Sequence, residues 1–185
     1  QEIILDKLEK ELPDYLYYHN VKHTVDVVTE VELIGWAEGV SDEEILLLKT
    51  AGLFHDAGHT VTYDGHEHQG TLMVRKMMPD YGYTQDQIDR ICDIIMATKL
   101  PPQPKDLLQR IICDADLDYL GRSDMIPVSN TLYKELKEQN KIGTIDVTTF
   151  NLARNAKDAS KSSYYQSLRR FWVSYYNIRK QTLFD

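Results

Sequence analysis

Apolar residues recur along this chain at helical intervals and nowhere alternate convincingly with polar ones at a period of two. A half-buried strand needs that alternation, so the pattern directs the chain to an all-α fold. Val21, Val25, Val28, Val31 and Ile34 mark one face of a predicted helix, and Thr24, Asp26, Thr29, Glu30 and Glu32 fill much of the other. Ser41 and Glu44 have the spacing of a capping box and open a second helix. Its apolar run from Ile45 to Leu48 continues through Ala51, Leu53 and Phe54, which predicts near-complete burial. This helix runs into His55, Asp56, Ala57, Gly58 and His59, with Gly58 expected as its C-terminal stop, so a polar pair closes an apolar helix.

Further helices are expected through Leu72, Val74, Met77 and Met78, and after the Thr84 to Gln87 cap through Ile88, Ile91, Ile94 and Ile95. Pro101, Pro102 and Pro104 break the chain before Leu107, Leu108, Ile111 and Ile112 lead another helix into the acidic run Asp114 to Asp118. One more helix is expected near Ser129 to Gln139, then a polar turn around Gly143 and a helical tail rich in Tyr and Arg. The expectation is a single-domain bundle of about seven helices over residues 1–185. Its motif core covers about 17–122, and a helical extension covers 123–185.

With 185 residues the chain is long enough to bury roughly 70% of its unfolded surface in one core. No apolar run reaches the roughly 20 residues of a membrane span. Cys92 and Cys113 both lie in apolar helical stretches, where a thiol serves as a small hydrophobe. A soluble, cytoplasmic protein is therefore expected, although the chain opens on Gln1 rather than Met and a parent chain could carry targeting information. The net charge of −8 argues against broad nucleic-acid binding, whereas a small anionic substrate stays compatible because a bound cation reverses the local field.

All six histidines fall between His19 and His68. His19 and His23 are spaced i, i+4 and would share a helix face if the first turn extends that far, as would Asp56 and His59 at i, i+3. Imidazoles and carboxylates together suit Zn, Mn or Fe, and a carboxylate able to bridge invites Mg or Mn at a second position. Spacing alone leaves open a site for one or two ions, or a set of hydrogen-bonded core histidines.

The order His23, then His55 and Asp56, then Asp116 resembles the H…HD…D signature of the HD superfamily of metal-dependent phosphohydrolases. The run from Tyr18 to Val27 and the segment Ile95 to Thr98 are similar to the cyclic-nucleotide phosphodiesterase branch. The resemblance implies that His23, His55, Asp56 and Asp116 bind a first divalent ion and that Asp56 bridges to a second. Asp114 competes with Asp116 for the last position; Asp116 is preferred because it holds the Ala-Asp place. His59 falls where the phosphodiesterase branch has a histidine beside the metal pair, and His66 where two-metal members supply an extra ligand, with His68 as a substitute for His66. Ala97, Thr98 and Lys99 stand where many two-metal members carry paired histidines, a departure from a histidine-rich second site. His19 matches the general acid of the phosphodiesterase branch. Lys22, Lys99 and Arg122 are candidates for phosphate contact, and their alternative is a solvated surface.

The implied activity is hydrolysis of a phosphoester by metal-activated water, in a small phosphorylated substrate, foremost a nucleotide phosphodiester, with a phosphomonoester second. The competing expectations are an HD-type di-iron oxygenase, disfavoured by Thr98, and a non-catalytic metal-binding regulatory module. The glutamine-plus-aromatic purine clamp of animal cyclic-nucleotide enzymes is not recognisable in the C-terminal third. Tyr164, Tyr165, Phe171, Trp172, Tyr175 and Tyr176 admit base stacking, core filling or a homodimer interface.

Overall fold

The computed structural model describes residues 1–100 and 102–139. The chain divides after Glu135, and the account below concerns the unit Gln1–Glu135. The polar turn near Gly143 and the aromatic tail from Tyr164 to Tyr176 lie outside the described residues. Seven α-helices and no strand occur among the described residues: α1 (Glu2–Glu11), α2 (Val21–Glu38), α3 (Asp42–Phe54), α4 (His66–Met77), α5 (Gln85–Met96), α6 (Leu107–Asp116) and α7 (Met125–Glu138). Among these residues no helix is long and apolar enough to cross a membrane.

α3 is the central helix and packs against α2, α4, α5 and α6. Its burial follows from the run Ile45 to Phe54, in which Leu48, Ala51 and Phe54 have almost no exposed surface. Two capping boxes set the starts of α3 and α5. The Ser41 and Thr84 hydroxyls accept the Glu44 and Gln87 amides, and the Glu44 and Gln87 side chains accept the two cap amides in return. On α5 the stripe Ile88, Ile91, Ile94 and Ile95 faces inward with the spacing an amphipathic helix requires, and on α6 Leu108, Ile111 and Ile112 do the same. The two thiols are buried and bond to the carbonyls of Thr71 and Ala97, in keeping with their apolar setting.

Three local expectations change. The buried face of α2 carries His23, Thr24, Val27, Val28, Val31 and Gly35, whereas Val25 is 36% exposed. The helix is thus rotated from its most apolar stripe, with His23 pointing inward. α3 ends at Phe54, and Gly58 lies beyond that end in a 3-10 turn, Ala57–Thr60. Gly58 is required for close approach: a Cβ there would collide with the His66 carbonyl oxygen, and one at Gly70 would collide with that of Phe54. α4 is thereby seated directly on the His55–Asp56 turn. The C-terminal helix begins at Met125, four positions before the expected Ser129.

Candidate metal centre

α2, α3 and α6 each deliver part of one cluster. His23 lies in the first turn of α2, held by the Asn20 side chain, which accepts the His23 amide. Because Asn20 is the N-cap, His19 sits outside the helix, so the shared i, i+4 face does not form. His55 and Asp56 follow the last residue of α3, and Asp116 is the last residue of α6. His23, His55 and Asp56 are all buried.

Their donor atoms converge. His23 Nε2 lies 3.4 Å from His55 Nε2 and 3.0 Å from Asp116 Oδ1. Asp56 Oδ2 lies 3.4 Å from His23 Nε2 and 3.1 Å from His55 Nε2, and Asp116 Oδ1 is 3.6 Å from His55 Nε2. An ion with ligands at about 2.1 Å in tetrahedral array sets its donors roughly 3.4 Å apart, so His23, His55 and Asp56 fit a single ion, with Asp116 beside the two imidazoles. Asp56 Oδ2 is buried without a hydrogen-bond partner despite its two imidazole neighbours, which suits an atom aimed at a shared centre. The tautomer of His55 fits as well: Nδ1 lies 2.8 Å from the Gly52 carbonyl and donates to it, leaving the Nε2 lone pair for the cluster.

The other oxygen of Asp56 faces a second group. His66 Nε2 stands 3.4 Å from Asp56 Oδ1, and His66 Nδ1 donates to the Tyr63 carbonyl at 2.9 Å. His59 stacks on His66 with ring centroids 3.8 Å apart, and His19 lies 4.7 Å from His59 by the same measure. Donor atoms of His19, Asp56 and His59 fall within 4.8 Å of one another. Both ring nitrogens of His59 are buried without a partner. Burial holds His59 down to about 3, so it is neutral with a lone pair to offer. Asp56 thus lies between two nitrogen-rich pockets. His68 is exposed, whereas its neighbour Glu67 is buried with Oε1 3.7 Å from His66 Nε2.

Charge is balanced inside the first cluster. Burial alone would depress His23 and His55, but the Asp116 and Asp56 carboxylates outweigh it and hold both imidazoles above their ordinary value. For Asp56 and Asp116 burial acts upward and is overcome by the imidazoles, so both carboxylates stay ionised well below the usual range. Protons thus occupy the place that a cation would take.

One contributor had no visible signal in the sequence. Glu135, fully buried on α7, accepts the backbone amides of Tyr18 at 2.9 Å and His19 at 3.1 Å through Oε2. Its Oε1 pairs with His19 Nδ1 and accepts from the Tyr63 hydroxyl at 3.2 Å. Only the three-dimensional return of α7 joins these residues. Lys22 and Arg122 are paired with acids, Lys99 is exposed, and Thr98 spends its hydroxyl on the Ile95 carbonyl.

Residues 20–118 match the model of the HD domain family, a span that contains His23, His55, Asp56 and Asp116. Among solved structures, the chain is similar to a predicted HD superfamily hydrolase from an uncultured Thermotogales bacterium, with a TM-score of 0.56 and 20% identity. The likeness covers 83% of this chain and 91% of that one. No curated protein matches. The family match over more than half of the chain, on the fold and cluster described above, makes this an HD-domain protein of the metal-dependent phosphohydrolases.

Proposed function

We propose that the chain hydrolyses a small phosphodiester, foremost a nucleotide, at a centre formed by His23, His55, Asp56 and Asp116. These residues would hold a divalent ion, whose chemistry would be to lower the pKa of bound water and polarise the phosphoryl oxygen. The chain's own residues do the rest. Asp56 presents one oxygen to each nitrogen-rich pocket, an arrangement that would let it serve two ions. His59 and His66 line the second pocket as further ligands or as partners of its solvent.

The observation that carries the phosphodiester reading is the pairing of His19 with Glu135. An ionised Glu135 fixes Nδ1 as the protonated nitrogen toward it and orients the ring, leaving Nε2 as the atom placed to deliver a proton to the departing ester oxygen. Such a proton donor matters most where the leaving group is a poor one, as an alkoxide is. The test is hydrolysis of cyclic and linear nucleotide diesters by protein stripped with chelator and then reloaded with Mn²⁺, Mg²⁺, Zn²⁺ or Fe²⁺. Turnover should vanish on stripping and return with at least one ion; unchanged turnover by demetallated protein contradicts the proposal.

A second reading has its own observation. Donor atoms of His19, Asp56 and His59 lie close enough to share an ion, which would make His19 a ligand instead of an acid. Metal content of a His19 variant separates the two.

A further inference from the structure

We propose that the cavity beside His23 and Asp116 receives the organic part of a singly phosphorylated ester and selects a substituent bearing positive charge or N–H donors over one bearing a second phosphate. This rests on the phosphodiester reading above and narrows its substrate class.

The cavity measures about 310 Å³, near the lower bound of ligand pockets, and so admits one group of roughly mononucleotide size. His23 and Asp116 contribute to its lining, which joins it to the candidate metal centre. Tyr17, Tyr119, Pro127 and Val128 supply apolar surface for a flat or compact group. Besides Asp116 and His23, the charged part of the described lining is Asp26, Glu30, Asp118 and Asp124 set against Lys22 and Arg122.

Both cations are already engaged. Lys22 Nζ lies 2.6 Å from Asp26 Oδ2. Arg122 donates Nε and Nη2 to the two oxygens of Asp124 at 2.9 and 2.8 Å, and Nη1 to Asp26 at 3.3 Å. With Lys22 and Arg122 balanced by Asp26 and Asp124, the carboxylates of Glu30 and Asp118 remain as the surplus. Glu30 and Asp118 both line this space, and burial first, then the charge of Asp118, raises Glu30 above its ordinary value against the opposing charge of Arg122.

Among the described residues, a second phosphate entering this space would meet two surplus carboxylates and only cations already paired with acids. An ammonium group or an amino-bearing base would be attracted instead, and its N–H groups would find acceptors. On this proposal Lys22 and Arg122 hold acids in place.

Three 4-nitrophenyl phosphodiesters with a common leaving group test this, their second substituents being choline, the uncharged isostere 3,3-dimethylbutyl, and 2-phosphonoethyl. In the Mn²⁺-loaded full chain, kcat/KM should favour choline over dimethylbutyl by about tenfold, and dimethylbutyl over phosphonoethyl by at least as much. Glu30→Gln should reduce the choline to dimethylbutyl ratio by about threefold or more. Equal kcat/KM for the three esters, or preference for phosphonoethyl, overturns the cavity assignment and leaves phosphodiester hydrolysis standing. If none of the three is hydrolysed, the phosphodiester reading is the one that fails. Calorimetric binding of choline phosphate against 3,3-dimethylbutyl phosphate then decides the cavity: tighter binding of choline phosphate supports it, and equal or weaker binding overturns it.

Discussion

Glu135 reaches His19 across 116 positions of sequence, and its buried carboxylate holds the ring at Nδ1 and the backbone at two amides. A residue on α7 therefore sets the posture of the proposed proton donor. Glu135→Ala should leave the Tyr18 and His19 amides unpaired and lower stability by about 2–4 kcal/mol, measured by denaturant unfolding. Glu135→Gln keeps volume and one acceptor, so its loss should fall on kcat for alkoxide leaving groups, by about 10²-fold. Should Glu135→Gln retain full turnover on such esters, the dyad has no catalytic part.

The seating of α4 on the His55–Asp56 turn depends on Gly58 having no side chain. Gly58→Ala should push His66 away from Asp56 and lower the thermal midpoint by several degrees, with an overpacking penalty of about 1–3 kcal/mol. Calorimetry checks the midpoint, and a bound-metal assay checks whether the second pocket has opened. An unaltered midpoint contradicts the close packing.

Protonation and metal compete for the first cluster. His23 and His55 are held above their ordinary value, so their contribution to the metal-free fold is fully present below about pH 6.5 and is lost as pH rises through the folded values. Asp56 and Asp116 are held low, so theirs is present above about pH 4 and is lost as pH falls through the folded values. Metal-free protein should therefore lose stability from pH 6.5 toward pH 9 with respect to this cluster. Metal binding should release protons, and the thermal shift given by Mn²⁺ or Zn²⁺ should be larger at pH 8 than at pH 6. Equal shifts at both pH values would argue that no proton is displaced.

Asp56→Ala should lower both metal content and turnover, because its two oxygens face different pockets. His59→Ala should spare the first ion and reduce occupancy of the second, read as a fall in the metal to protein ratio. Iron recovered as a diiron pair, together with oxygen-dependent chemistry, would instead favour the oxygenase alternative.

The helices were legible wherever an apolar stripe and a cap coincided, as in α3 and α5, because burial and capping are written locally. The HD cluster was legible because its residues lie in ordered motifs, and the fold brings both carboxylates within 3.6 Å of the His23 and His55 rings. Val25 misled because five valines and isoleucines offered an apolar stripe, while His23 had to face inward for its charge partners. Glu135 was hidden for a different reason: an acid in an ordinary amphipathic helix reads as a solvated group, and only the chain's return over Tyr18 and His19 buries it. Lys22 with Asp26 and Arg122 with Asp124 are local pairs, whereas the contact of Arg122 with Asp26 needs the fold.

The most direct test of the account is His19→Ala, assayed for bound metal and for turnover on matched diesters with 4-nitrophenoxide and alkoxide leaving groups. The account predicts unchanged metal content, a loss of roughly 10²–10⁴-fold on the alkoxide ester and a much smaller loss on the nitrophenyl ester, whose anion needs no proton. Loss of an ion would make His19 a ligand, and equal losses on both esters with metal retained would make it a positioning residue; either result contradicts its place as the proton donor.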